Sequence, residues 1–373
     1  MVIFNDVNLE EFTKVILMAA GTPEAEAEWV ADCLVLSNLK GVDSHGVQLI
    51  PGYVKAIEEG YLKPGQKIEV IKELPASTLF EGNWGYGYTI ARDAMRYTMN
   101  KAKKSGVAFS GIRNIHHIGR VGKWAEMALE ENLIGIASQP GGVYIAPWGG
   151  LERKLPIGPI AVAFPAEEHR PIVIDMSLGP IAGGRTAILA SRGQKVPYGW
   201  YIGDEGEPIN DPKIFHKGEG AQLPLGQTGL GYKGMALSMI VDILAGPLMG
   251  YVMMEDQPFR RRGVFLGAID PEAFTTLDIY MEGVDELIDY LTSSKLAKGF
   301  DEILVPGEPE WRQMDKRREE GIFLDDEIYQ RIIDTAKGLG VDVSRYEGKA
   351  GKHEVTHPSY TLKDKYEWGP KPE

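Results

Sequence analysis

The chain has 373 residues, 43% hydrophobic and 25% charged, with a formal net charge of −13 at pH 7. That length allows a large core and two or three domains, while the acidic balance repels phosphate backbones and argues against nucleic acid as a partner. A single cysteine, Cys33, excludes an internal disulfide and any multi-cysteine metal site.

Residues 8–39 read as two helices. Asn8 is placed to cap the first, with Glu11 at the capping-box position, and Phe12, Val15, Ile16 and Ala19 share one face before Gly21 ends it. Thr22-Pro23-Glu24 opens the second. Its residues Val30, Leu34 and Leu36 surround Cys33, which is expected in the core. A loop over 40–51 carries Asp43-Ser44-His45-Gly46, and a helix follows over 51–59. Ile68, Val70 and Ile71 have strand character, and Leu79-Phe80-Glu81-Gly82-Asn83 reads as a strand end and turn. A helix is expected over 88–105. Short apolar runs at 107–112, 133–137, 160–164 and 172–176 then alternate with helices, the pattern of a mixed α/β (α+β) protein in more than one layer. No Gly-x-Gly-x-x-Gly opens a helix after a strand, so an ordinary Rossmann site is not supported.

Residues 190–232 are rich in Gly, Pro and Asp and read as a long loop region, a type of segment that is usually functional. The most apolar window, 236–254, contains Asp242, Gly246, Pro247 and Gly250. A buried helix over 234–245 explains it better than a membrane span. Residues 287–291 belong to another helix, 303–305 form a short strand, and Leu324-Asp325-Asp326-Glu327 caps a last helix running to about Gly338. The tail from Glu347 is polar and lysine-rich, with Tyr360, Tyr366 and Trp368, and is expected to be disordered or to lie across a partner subunit. The chain starts without a basic n-region or cleavage signal, so a cytoplasmic location is expected, with no membrane partner.

Several segments could carry chemistry. In Asp43-Ser44-His45-Gly46 an imidazole that titrates near physiological pH stands beside a hydroxyl; taken alone, a loop histidine satisfied by backbone explains it as well. Arg113-Asn114-Ile115-His116-His117-Ile118-Gly119-Arg120 precedes an amphipathic helix. Adjacent histidines in an extended loop point to opposite sides, so one is expected to face a site. Gly119 near a helix start, with Arg120, could seat an anion. His45, His116 and His117 could bind a metal, but no helical ligand spacing supports it. Asp175-Met176-Ser177-Leu178-Gly179 and Gly183-Gly184-Arg185 offer small residues where a ligand can approach backbone, or a packed turn. Lys233 in Gly231-Tyr232-Lys233-Gly234 faces the unfavourable end of a helix dipole, which points to a bound anion. Val305-Pro306-Gly307-Glu308 could cradle a ribose or phosphate, but on sequence alone it reads as a rigid turn.

Together these segments resemble the malate/L-lactate dehydrogenase family that is unrelated to Rossmann-type lactate dehydrogenase. The matching stretches are Asp43-Ser44-His45-Gly46-Val47, Glu81-Gly82-Asn83-Trp84-Gly85, Arg113-Asn114 with His117 and Gly119, and Ala146-Pro147-Trp148-Gly149-Gly150. They continue with Asp175-Met176-Ser177, Gly199-Trp200 with Asp211-Pro212, Gly231-Tyr232-Lys233-Gly234 and Pro306-Gly307-Glu308. The resemblance implies an NAD(P)-dependent oxidoreductase with a non-Rossmann fold, in which a helical N-terminal region packs on a mixed-sheet core and subunits form homodimers with the site near the interface. It implies a helical domain over 1–75 packed with the C-terminal helices, a core over 76–310 that binds cofactor and substrate, and a C-terminal helix and tail over 311–373. His45 and His117 match the two histidines to which the family assigns proton transfer. Ser138, Asp175, Met176, Ser177, Lys233, Gly234, Gly307 and Glu308 match its cofactor contacts.

Three departures stand out. Leu49 occupies a position where many members carry an arginine suited to a substrate carboxylate. Arg120 stands where a small residue is common, and the usual Gly-Thr-Asn-Pro reads Pro156-Ile157-Gly158-Pro159. The expectation is therefore hydride transfer between nicotinamide and C2 of a small 2-hydroxy or 2-oxo acid. His45 or His117 would move the proton, Ser44 would position the oxygen, and Arg120 or Arg113 would clamp the carboxylate. NAD is favoured slightly over NADP, because a 2′-phosphate needs an extra arginine, and no metal is expected. A cyclic imine carboxylate is an alternative substrate, a histidine-based metallohydrolase a rival of another class, and a non-catalytic oligomer a third.

Overall fold

Seven strands form the central sheet, in the spatial order Glu69–Leu74, Ser77–Glu81, Val107–Arg113, Val264–Ile269, Ile134–Ser138, Ile160–Phe164 and Ile172–Met176. In this computed structural model, residues 2–251, 263–346 and 348–350 are described. Only Ser77–Glu81 and Val107–Arg113 run parallel; the other neighbouring pairs are antiparallel. A doubly wound dinucleotide fold needs a mostly parallel sheet, so this mixed α/β architecture is of a different kind. The runs 160–164 and 172–176 lie where the sequence places them.

Helix Gly87–Ser105 covers the sheet. Its residues Ile90, Ala91, Ala94, Met95, Thr98 and Ala102 are buried, a spacing of three and four that forms one apolar stripe. Helix Glu24–Leu39 packs against it, and helices Asp6–Ala19, Glu24–Leu39 and Ile50–Glu58 meet Glu308–Glu320 and Asp326–Gly338 from the far end of the chain. Strand Val2–Phe4 pairs antiparallel with Ile322–Leu324, which ties the two ends together. One continuous apolar cluster runs through both regions, with Trp124, Tyr86 and Tyr88 among its largest members. Cys33 sits in it, and burial raises its thiol to about 12.

Several local expectations are corrected. Asn5, not Asn8, caps the first helix, its side chain accepting the Asn8 N–H at 2.8 Å. The earlier start brings Asp6 into the first turn, where a negative charge is favourable. Residues 303–305 are not a strand. They lead into a turn at Gly307, with φ +95°, and their link to the sheet edge is one bond from Val173 N–H to the Pro306 carbonyl at 3.0 Å. The region 190–232 is not one loop: Tyr201–Ile202, Pro208–Ile209 and Ala221–Gln222 join Val143–Ile145 and Leu155–Pro156 in a five-stranded sheet. Two-residue strands are too short to show a period. The apolar helix ends at Ala245 as expected but begins at Gln227, with a kink at Leu230. Only about a third of its apolar window is buried, because Leu237, Met239, Ile240 and Ile243 face outward. Tyr360, Tyr366 and Trp368 lie outside the described residues.

Gly135 marks the tightest contact between helix Gly122–Glu126 and the sheet: a Cβ there would lie 2.1 Å from the Ala125 carbonyl oxygen. Gly135→Ala is expected to destabilise the protein by about 1–3 kcal/mol. Gly283, in helix Leu277–Thr292 with open space around it, is the control; its change to alanine should stabilise by about 0.5–1 kcal/mol. Urea unfolding of the two variants checks both signs.

Candidate active site

The Asp-Ser-His-Gly stretch forms a 3₁₀ turn, Asp43–His45, between helices Glu24–Leu39 and Ile50–Glu58. Asp43 accepts two bonds from the Arg317 guanidinium, at 2.6 and 2.9 Å, which pins the turn to helix Glu308–Glu320. Ser44 Oγ lies 2.9 Å from His45 Nδ1. Gly46 passes so near Asn38 that a Cβ would lie 2.1 Å from its Oδ1, and that oxygen accepts the Val47 N–H at 2.9 Å. Every residue of the motif therefore has a task, though only Ser44 and His45 are placed for chemistry.

The second histidine sits in the loop after strand Val107–Arg113. Asn114 adopts φ +51°; its N–H donates to Tyr251 Oη at 2.7 Å, and its carbonyl accepts the Trp84 N–H at 2.7 Å. The Glu81–Gly85 stretch thus serves as the bed of this loop. Helix Gly87–Ser105 starts against it, and a Cβ on Gly87 would meet the His117 carbonyl oxygen at 2.2 Å. The outcome is a stacked pair of imidazoles: the His45 and His117 rings are 5.7 Å apart between centroids and inclined by 24°. His117 Nδ1 lies 2.8 Å from Tyr53 Oη, which in turn lies 3.0 Å from Tyr88 Oη. His116 meets the Tyr53 ring edge-on at 5.8 Å. Burial, with Arg120 adding to it, lowers the His45 pKa to about 4, so this imidazole is neutral at pH 7.

The two arginines expected at a substrate carboxylate are already engaged. Arg120 is 4% exposed. Its terminal nitrogens donate to the two Glu126 oxygens at 2.9 and 2.6 Å, and one also reaches Asp175 Oδ2 at 3.4 Å. A bidentate clamp on a substrate is not open to it in this arrangement. Burial works to raise the Glu126 pKa, but Arg120 and Lys40 outweigh it and hold the carboxyl at about 2. Lys40 donates to Glu126 at 2.7 Å and lies 3.4 Å above the Trp311 ring. Burial and Arg120 lower its ammonium to about 8. Arg113 Nε donates to Glu81 at 2.9 Å. No sequence signal marked Lys40, Glu126 or Tyr53 as part of this arrangement; Lys40 reads as the start of a loop and the other two as ordinary helix residues.

The cofactor segments fall partly together. Ser138, Ile160 and Met176 form one row across three neighbouring strands. Asp175 turns back to accept the Gly122 N–H at 2.9 Å, and so is joined to the end of the histidine loop. Gly307 packs on the same strand, where a Cβ would lie 2.9 Å from Val173 N. The Glu308 side chain is held by Arg312. Lys233 is exposed on the second turn of its helix, and among the described residues no hydrogen bond or ion pair joins it to the imidazoles. Gly234 packs tightly on Leu225. Ser138 Oγ and Gln139 Nε2 are buried and have no hydrogen-bond partner among the described residues. Buried polar groups are normally paired, so these orphans at the sheet end fit a polar, hydrogen-bonding group such as the nicotinamide carboxamide.

Comparison with known proteins decides the class. The family model described as malate/L-lactate dehydrogenase matches residues 4–333. This chain belongs to the malate/L-lactate dehydrogenase family. It is 33% identical to a malate dehydrogenase of Pyrococcus abyssi over 341 residues, covering 89% of this chain and 94% of that protein. It is 34% identical to an L-sulfolactate dehydrogenase of Methanocaldococcus jannaschii over 337 residues, covering 89% and 95%. The solved structure of malate dehydrogenase from Pyrococcus horikoshii OT3 superposes with a TM-score of 0.83 at 33% identity, covering 91% and 96%. A dehydrogenase family implies a nicotinamide cofactor, and the names of these relatives favour a small 2-hydroxy acid over the hydrolase and cyclic-imine alternatives.

His45 yields a pH prediction. Its folded pKa of about 4 lies below the ordinary imidazole value of 6.5, so between the two the unfolded chain binds the extra proton. Stability is therefore fully present above about pH 6.5 and falls as pH drops towards 4, by about 3 kcal/mol from this group. Urea unfolding at a series of pH values should show a shallower slope in His45→Asn across that window.

Proposed function

We propose that this protein transfers a hydride between nicotinamide and C2 of a small 2-hydroxy or 2-oxo acid, with the stacked imidazoles handling the proton. The observation that carries this reading is the stack itself: two histidines 72 positions apart in the chain, 5.7 Å apart between centroids, each with Nδ1 held by a hydroxyl. When bound, the nicotinamide supplies or accepts the hydride. Ser138 and the turn Asp175–Ser177 would hold its nicotinamide end, and Gly307 and Lys233 its more distant parts.

His117 is the residue that gives and takes the proton. Tyr53 anchors Nδ1 and so directs Nε2 at the substrate oxygen. His45 is kept neutral by burial and Arg120 and so has no spare proton at pH 7. In the tautomer in which Ser44 donates to Nδ1, the one ring proton of His45 lies on Nε2, from which it would hydrogen-bond the same oxygen. Arg120 acts as a positioning residue: through Asp175 it fixes the cofactor turn relative to the histidine loop.

NAD is the expected cofactor, since an acidic chain with its site arginines paired offers little to a 2′-phosphate. The outward face Leu237, Met239, Ile240 and Ile243 of helix Gln227–Ala245 is the surface on which a second copy would pack. Exposed apolar patches of this kind mark interfaces. A homodimer in the cytoplasm follows from this reading.

Two experiments test it. Stopped-flow NADH oxidation with pyruvate, oxaloacetate and sulfopyruvate should give saturable turnover that is unaffected by EDTA. His117→Asn should lower kcat by about 10²–10⁴-fold while leaving NADH binding intact; turnover equal to wild type would defeat the assignment. Separately, Ile240→Glu should shift the sedimentation coefficient from dimer to monomer. A wild-type protein that already sediments as a monomer would remove the dimer from the proposal.

A further inference from the structure

The unpaired groups at the sheet end extend beyond Ser138 and Gln139. Gln222 is fully buried, and both its Nε2 and its Oε1 lack a partner among the described residues. Its backbone is occupied, the carbonyl accepting the Ala146 N–H at 2.9 Å, but its carboxamide is not. The placement is specific. Oε1 lies so close to the turn after Met176 that a Cβ on Gly179 would come within 2.4 Å of it. That turn is bound to residue 157 through Leu178 N–H at 2.8 Å, and residue 159 accepts the Gln139 N–H at 3.4 Å. The Gln139 backbone and the Gln222 carboxamide thus meet one backbone crossing, 157–159 against 177–179, beside the row that Ser138 forms with Met176.

The chemistry of the orphans narrows the ligand. Gln139 offers a donor, Gln222 offers donors and an acceptor, and Ser138 offers either. A carboxylate can only accept and would leave the Gln222 oxygen unpaired. A primary carboxamide, with one carbonyl and one NH₂, complements the whole set. We propose that Gln139 and Gln222 recognise the carboxamide of the bound nicotinamide. Gln139 Nε2 donates to the carboxamide oxygen, and Gln222 Oε1 accepts from the carboxamide nitrogen. Neither glutamine was among the residues that the family resemblance singled out. The inference rests on the hydride-transfer reading above, because it requires a nicotinamide in that place.

The test compares NADH with reduced 3-acetylpyridine adenine dinucleotide, in which the NH₂ is a methyl and the carbonyl is kept. Dissociation constants are measured by calorimetry on the full-length protein without substrate. Wild type should bind NADH about tenfold more tightly than the analogue. Gln222→Leu should weaken NADH alone and bring the ratio close to one. Gln139→Leu should weaken both ligands alike and leave the ratio unchanged. The thermal midpoint without ligand should hold or rise in both variants, since each removes unpaired buried atoms. Ordinary NADH binding with a wild-type ratio near one, or a ratio that Gln222→Leu does not move, would overturn the inference and leave these amides as hosts of buried water. A lower ligand-free midpoint with equal weakening of both ligands would equally overturn it, as a purely structural role. Failure of wild type to bind NADH at all would instead defeat the hydride-transfer reading.

Discussion

A guanidinium taken out of water has to meet carboxylates, and at Arg120, whose terminal nitrogens are paired while Nε has no partner among the described residues, that requirement gathers four parts of the chain. Glu126 comes from helix Gly122–Glu126 and Asp175 from the strand Ile172–Met176. Lys40 reaches Glu126 from the end of the N-terminal helices, and Trp311 covers Lys40 from helix Glu308–Glu320. Buried ion pairs of this kind add little net stability, because desolvation offsets most of the attraction, yet removing one partner costs about 3–5 kcal/mol. Their effect is positional. The Arg120 side chain leaves the loop three residues after His117, so whatever fixes the guanidinium also fixes the imidazole. Asp175 precedes Met176 and Ser177, so the same contact fixes the turn at the sheet end.

The charge of Arg120 acts on His45 as well. Two imidazolium rings at the observed 5.7 Å separation would repel each other by about 3 kcal/mol at an effective dielectric of 20. A stacked pair of this kind is stable with one positive charge or none. Burial and the nearby guanidinium decide which ring stays neutral, and they select His45. This is the local answer to an overall charge of −13. The acidic surface does not control the site, because the cations that matter are inside it and are held there by Glu126 and Asp175.

How legible this was in the sequence depended on how local each feature is. The runs 160–164 and 172–176 are strands with those bounds, since continuous apolar segments of five residues between turns have few other solutions. Ser44, His45 and His117 could be singled out because imidazoles and their neighbours carry a chemical signature that survives without coordinates. Arg120 was singled out too, but its employment was not legible. Pairing with Glu126 six residues on and Asp175 fifty-five residues on is a tertiary fact, and a sequence shows the cation without its partners. The same holds for Asp43, whose carboxylate is spent on Arg317 far along the chain. Asn5 and Asn8 are both good caps, and the choice between them depends on helix length rather than residue type. Gln139 and Gln222 give no sequence signal at all; only their burial without partners marks them.

The hydroxyl chain behind His117 bears on how protons travel. Tyr53 Oη connects His117 Nδ1 to Tyr88 Oη, and Tyr88 is 1% exposed. Burial raises the Tyr88 pKa well above its ordinary value, so its phenol stays protonated. This stretch of the chain behind His117 is thus built from neutral hydroxyls. Its part is to hold the imidazole in one orientation, as a carboxylate does behind catalytic histidines, but without adding a charge. That difference matters beside a second imidazole, because a carboxylate there would favour the doubly protonated stack that the spacing disfavours. In the proposed reaction His117 exchanges its proton with the ligand through Nε2.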